Sequence, residues 1–375
     1  MATIDIDLAA TLARRGTAMV ADIRRLVEAE SPTNDLAAVR ACADLVAEIG
    51  TGVLGAPPDM IQVGGRPHLV WRLGKGSRVG LVGHFDTVWP IGTLAARPYR
   101  QDAGRAYGPG IFDMKCGVVQ ALYAAAAAGQ SAGIDILLTS DEETGSLTSR
   151  GLIEEIAPTW SAALVLEASQ DGALKVARKG VSVYDMHVGG RESHAGLEPE
   201  LGVNALVELA HLVISMGQIA DAGLGTTVSP TMARSGSAGN VIPGEAELHL
   251  DVRALSEAEQ ARVDLALRQL TPTVPGARIT VRGGPNRPAM AADISAELFA
   301  LAQRLNADLG YPELRGVTVG GGSDGNLTAG VGTPTLDGLG AVGAGAHATH
   351  EHIVLAEVPR RAALVAALIR HLTNA

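Results

Sequence analysis

Apolar positions in residues 34–49, namely Leu36, Val39, Ala43, Leu45, Val46 and Ile49, recur at helical spacing and predict an amphipathic helix. Gly50 and Gly52 follow and read as its end. Short apolar runs come next: His68 to Leu73, Arg78 to Gly83, Ile134 to Leu138 and Ala162 to Leu166. Each is set off by loops or by helix-length segments, of which Val118 to Gly129 is the clearest. Near-continuous apolar strands alternating with helices predict an α/β domain whose sheet is buried on both faces.

Past Lys179 the period changes. Val181 to Val188 alternates like a half-exposed strand, Val203 to Ile219 reads as a helix, and Ala246 to Val252 alternates again. There Glu247, His249 and Asp251 face away from Leu248, Leu250 and Val252. This predicts an antiparallel sheet with helices on one face. The tail returns to the first style, with a glycine-rich segment from Gly320 and a closing helix from Pro359 to Leu372. The expected organisation is a domain of residues 1–178 and 289–375 with residues 179–288 inserted into it. A chain of 375 residues is long enough for two cores.

Composition narrows the function. A hydrophobic share of 47% fits a globular protein. A formal net charge of -10 argues against nucleic acid and against anionic membranes as partners. Cys42 and Cys116 are too few for a disulfide framework, which points to a reducing compartment. Residues 1–30 lack a basic start followed by an apolar stretch and a small-residue cleavage site. Val118 to Ala128 is too short to span a bilayer. A soluble, cytoplasmic protein is expected.

The chemistry-bearing residues sit where strands end. His84-Phe85-Asp86 closes the run Val79 to Gly83, so His84 can bind metal while Asp86 orients a ligand or base. Asp113 follows the rigid Gly108-Pro109-Gly110. Asp141-Glu142-Glu143 follows Ile134 to Leu138, Glu167 ends Leu164-Val165-Leu166, and His347 lies in a late glycine-rich loop beside the competing His350 and His352. Singly, each is an ordinary polar loop residue. Together they place histidines and carboxylates at the strand ends where open α/β sheets build sites, a donor set suited to zinc. Gly320 to Gly325 matches G-x-G-x-x-G without an opening βαβ unit, which argues against a dinucleotide-binding dehydrogenase. It also matches G-x-S-x-G around Ser323, but no convincing triad partners follow.

Beyond these placements, the chain resembles the superfamily of co-catalytic zinc peptidases and deacylases, which includes acetylornithine deacetylase, succinyl-diaminopimelate desuccinylase, aminoacylase and glutamate carboxypeptidase. Gly83-His84-Phe85-Asp86-Thr87-Val88, Tyr107 to Lys115 and Thr139 to Ser146 resemble its first three motifs. Arg191 to Gly196 and Gly239 to Pro243 are similar to its lid motifs, and Gly345-Ala346-His347 with Glu351 to its last. The likeness to glutamate carboxypeptidase extends through Glu198 to Val207 and Pro359-Arg360-Arg361.

The resemblance implies a zinc-peptidase-like mixed sheet flanked by helices, with an inserted α+β, ferredoxin-like lid and dimerisation domain. It implies two Zn2+ per chain, with Co2+ or Mn2+ as substitutes. Asp113 would bridge them through a turn with a cis peptide to Met114. His84 and Glu167 would complete one ion's ligands, and Glu143 with His347 the other's. Glu142 would be the general acid/base, its neighbour Asp141 being the rival. The resemblance also implies a homodimer, in which His194 and Asn240 of one lid contact the other subunit's substrate. Arg253 and Arg287 would hold a substrate carboxylate, their alternatives being a salt-bridged strand arginine and a solvated loop arginine. Backbone at Gly322 would line the site.

Hydrolysis of a peptide or N-acyl amide bond, releasing a C-terminal amino acid from a small molecule or short peptide, is therefore expected. Lys175 resembles a lysine that holds a glutamate side chain, while Val319 replaces a threonine with that duty. The alternative is an N-acyl-amino-acid deacylase for apolar amino acids, and a distant one is a non-catalytic binding protein on the same fold. Cys116 replaces a usual glycine after Asp-x-Lys, which predicts sensitivity to thiol reagents.

Overall fold

The computed structural model describes residues 6–373 apart from Ser77, Gln130 and Ser131, and it divides into two compact units. The first holds the chain up to Ala177, Ala292–Val319 and the residues from Ser323 onward. Its main sheet orders six strands as Asp59–Val63, Arg66–Leu73, Gly133–Thr139, Arg78–His84, Ala162–Val165 and Thr335–Leu336. The first three pair antiparallel. From Gly133–Thr139 onward neighbours run parallel, giving a mixed sheet.

The apolar runs are continuous because both faces are covered. Leu81, Ile136 and Leu164 point into a large core with the helices Leu36–Leu54, Cys116–Ala128 and Glu357–Thr373. Val82, Leu137 and Val165 point the other way, onto Ile153, Trp160 and Leu327. The N-terminal helix Ile6–Glu28, to which the pattern reading assigns nothing, adds Leu12, Met19, Ile23 and Leu26 to the large core.

The helix expected over 34–49 starts at Leu36, where the Asp35 side chain caps Ala37 and Ala38 N–H. It does not stop at Gly50 or Gly52 but runs to Leu54. Gly50 is a contact rather than a stop, since a Cβ there would lie 2.4 Å from Trp71 Cζ2. The true end is Gly55 at φ +76°, a left-handed cap that glycine adopts without a Cβ penalty. The 18-residue stretch Ile111–Ala128, which includes Asp113 and Lys115, is long and apolar enough on average to cross a membrane, while the run Val118 to Ala128 within it is shorter. That stretch is 78% buried inside the protein and is a core element.

The second unit is Arg178–Ala291 with Gly320–Gly322. Its antiparallel sheet orders Thr227–Ser235, Glu245–Ala254, Gly180–Gly189 and Arg278–Arg287. Helices Ala205–Ile219 and Glu257–Arg268 complete a strand-helix-strand-strand-helix-strand order, the ferredoxin-like arrangement. Tyr184, Met186, Leu248 and Leu250 pack with Leu209, Met216, Val263 and Leu267 on one face. The alternating partners Asp185, His187, Glu247 and His249 line the other.

Candidate metal centre

Adjacent parallel strands deliver acids and a histidine to one end of the first unit's sheet. His84 ends Arg78–His84, Asp141-Glu142-Glu143 follow Gly133–Thr139, and Glu167 follows Ala162–Val165. Asp113 lies in the tight turn Ile111–Lys115, and its peptide to Met114 is cis.

Two clusters share Asp113: His84, Asp113 and Glu167, and Asp113, Glu143 and His347. His84 Nε2 is 3.4 Å from Asp113 Oδ1 and 3.5 Å from Glu167 Oε1. His347 Nε2 is 3.3 Å from Asp113 Oδ2 and 3.1 Å from Glu143 Oε2. Each oxygen of Asp113 thus faces a different histidine. Glu142 Oε2 approaches His84 Nε2 at 4.0 Å. His350 and His352 lie apart from both clusters; the His352 ring rests on Tyr107 at 5.4 Å.

The electrostatics follow from this crowding. Burial opposes the charged forms of His84 and Asp113, yet their mutual attraction wins. His84 is raised well above the usual imidazole range by Asp113, Asp86 and Glu167, and Asp113 is held well below the carboxylate range by His347 and His84. Asp113 and Glu143 raise His347 to about 10. Burial pushes Glu143 up.

A divalent cation fits this set on one direct observation. His84 Nε2 is buried and makes no hydrogen bond among the described residues, while Nδ1 donates to the Asp86 carbonyl at 3.1 Å. The ring is therefore fixed with Nε2 toward two carboxylates, the usual way a protein orients an imidazole ligand.

Asp86 is fully buried and gathers more than the histidine. Its carboxylate accepts from Thr33 Oγ1 at 2.7 Å and from the backbone N–H of Glu142 and Glu143. Thr33 carried no motif and was missed. Asp141 turns to its own loop, where Oδ2 accepts from Thr148 N, Thr148 Oγ1 and Ser149 N.

The remaining expected residues fall in separate places. Lys175, in the strand Leu174–Arg178, pairs its backbone with Asp337. In the second unit, Ala195 N donates to Asn240 O at 2.8 Å, bringing the loops of His194 and Asn240 together. His194 Nδ1 accepts from Gly196 and Leu197 N–H, so Nε2 carries the proton in the neutral ring. Arg253 forms the bidentate pair with Asp251, both bonds 2.8 Å, that its structural alternative describes. Arg287 is no solvated loop residue: it is 4% exposed at the end of Arg278–Arg287. Gly322 lies over it, for a Cβ there would meet Arg287 Cδ at 2.9 Å.

Two side expectations resolve. Ser323 caps the helix Asp324–Gly330 and donates to Asp337 Oδ2 at 2.6 Å, a structural hydroxyl. Cys116 is fully buried and burial pushes its thiol up, which disfavours the thiolate that reacts with thiol reagents.

Comparison with known proteins gives the family and the fold. The sequence pattern described as "Peptidase family M20/M25/M40" matches residues 80–371. The chain is 32% identical to carboxypeptidase G2 of Pseudomonas sp. strain RS-16, covering 95% of this chain and 89% of that protein. It is 29% identical to a succinyl-diaminopimelate desuccinylase of Halorhodospira halophila, covering 78% and 82%. Its fold is similar to that of an aminopeptidase from Bacillus cereus ATCC 10987, with a TM-score of 0.76 at 22% identity over 95% and 98% of the two chains.

Proposed function

This chain belongs to peptidase family M20/M25/M40 and is a metal-dependent peptidase or amidohydrolase, and on that premise we propose that it cleaves a peptide or N-acyl amide bond to release a C-terminal amino acid. The observation that carries the reading is Asp113, whose two oxygens face His84 and His347 from between two acid-histidine clusters.

In this reading Asp113, His84 and Glu167 would hold one zinc ion, and Asp113, Glu143 and His347 the other. Bound together, such ions polarise the scissile carbonyl and lower the pKa of water. Glu142 takes the proton of the attacking water and hands it to the leaving amine, a role supported by its approach to the cluster and by the engagement of Asp141 elsewhere. Asp86 keeps His84 and the Glu142–Glu143 backbone in register.

Arg287 and Arg253 bind the substrate carboxylate, Gly322 lines the site, and Lys175 favours an acidic side chain. His194 and Asn240 reach the substrate from the partner subunit of a homodimer. Exposed Leu206, Val207 and Ile214 on the helix Ala205–Ile219 support self-association through the second unit. Arg253 would exchange Asp251 for the substrate carboxylate. A second reading, release of apolar amino acids from N-acyl substrates, is favoured by Val319.

An assay of release from N-acylated Glu, Asp, Leu, Phe and Arg tests the proposal. Metal-dependent turnover of the acidic substrates supports it. Preference for Leu or Phe selects the second reading, and no metal-dependent release from any of them refutes both.

A further inference from the structure

We propose that Glu351 is a positioning residue for the metal pair: its carboxylate fixes the turn carrying Asp113 and ties it to the loop carrying His347. The inference rests on the metal-site reading above and adds to it a residue with no place among the ligands.

Glu351 is 2% exposed, and four N–H groups converge on it. Oε1 accepts from Phe112 N at 2.9 Å and Asp113 N at 3.2 Å. Oε2 accepts from Gly110 N at 2.9 Å and Trp89 Nε1 at 2.8 Å. An ionised carboxylate is acceptor-only, with about four lone-pair sites, and so matches four donors. A glutamine would turn an NH2 group toward at least one of them. Three of the four donors belong to the turn, which also closes on itself through Lys115 N and Gly110 O at 3.0 Å.

The other end of the clamp is equally set. Glu351 N donates to Ala348 O at 3.0 Å, and Ala348 N to Gly345 O at 2.8 Å. Gly345 has φ +87°, and a Cβ there would lie 2.9 Å from Glu351 Cα. His347 lies inside this short loop. One side chain therefore links the residue that faces both histidines to one of those histidines. Displacing the turn moves both oxygens of Asp113 together, so the loss must be felt at both clusters.

The test compares Glu351→Gln with the unaltered full chain, each stripped of metal and titrated with Co2+ against a chelator. Circular dichroism and melting of the metal-free protein check folding. The expected result is a folded variant in which both ions bind more weakly together, by about 10–100-fold, with an altered cobalt spectrum. With substrate and saturating metal, kcat should fall while KM stays within about twofold. Trp89→Phe, which removes the one donor outside the turn, should leave affinity for both ions within about threefold. Should the glutamine variant not fold, Glu351→Asp, which keeps the charge but shortens the reach, carries the test by the same criteria.

Weakening of only one ion, or unaltered affinity for both, overturns the role of Glu351. Absence of metal binding by the unaltered chain instead overturns the metal-site reading.

Discussion

The Asp86 carboxylate receives the backbone N–H of Glu143 at 3.3 Å, so a strand-end acid and a candidate metal ligand beyond the end of the adjacent strand form one assembly. The same carboxylate takes Glu142 N–H at 3.3 Å and lies 3.3 Å from His84 Nδ1. Replacing Asp86 with alanine releases the Glu142–Glu143 backbone and removes the carboxylate beside the His84 ring, which keeps its bond to the residue-86 carbonyl. The expected outcome is a fall of about 10–100-fold in metal affinity and in kcat, read by chelator competition and initial rates.

Glu142→Gln preserves side-chain volume and removes the base. Turnover should drop by at least about 10²–10⁴-fold, while metal analysis still finds the ions of the unaltered protein. Near-normal turnover in this variant would falsify the assignment of Glu142.

Cys42 and Cys116 are both buried, and burial raises both thiols. A thiol-disulfide dye should titrate neither cysteine in native protein and both after denaturation. Alkylation of Cys116 in native protein, or inhibition by alkylating reagents, would contradict the placement described.

Gly50→Ala forces a methyl group against the Trp71 ring in a packed core. It should lower stability by about 1–3 kcal/mol in denaturant melts and leave activity per folded molecule unchanged. The contact is far from the motif residues in sequence, so an equal loss in metal affinity is not expected.

Stability should depend on pH through His68, whose Nε2 meets Thr148 Oγ1 at 3.1 Å. Burial lowers its pKa in the folded protein. The unfolded chain, with an ordinary imidazole near about 6.5, then binds more protons than the folded one below that pH. Stability present above about 6.5 is lost as pH falls through the depressed folded value. His68→Gln should flatten this limb of the pH-stability curve.

Much of the centre was legible because its residues follow strands whose apolar runs are unbroken. His84 and Glu167 could be placed from those runs alone, and so could the loop of Asp141, Glu142 and Glu143. Choosing Glu142 over Asp141, or His347 over His350 and His352, needed more than periodicity, and resemblance made those choices. Gly50 misled because its neighbour Trp71 is brought to it only by the sheet. Thr33 and the grip of Glu351 were invisible for the same reason: hydrogen bonds to groups far away in the chain leave no period in a sequence. The pairing of Arg253 with Asp251 was readable as strand neighbours two apart, and it was offered as an alternative.

The inserted second unit divides the clusters in time as well as in sequence. His84, Asp113, Glu143 and Glu167 all precede Arg178, whereas His347 follows the whole insertion. A chain emerging from the ribosome therefore owns one complete acid-histidine group long before the other can close. Release before residue 347 would leave the second cluster without His347 and the large core without the helix Glu357–Thr373.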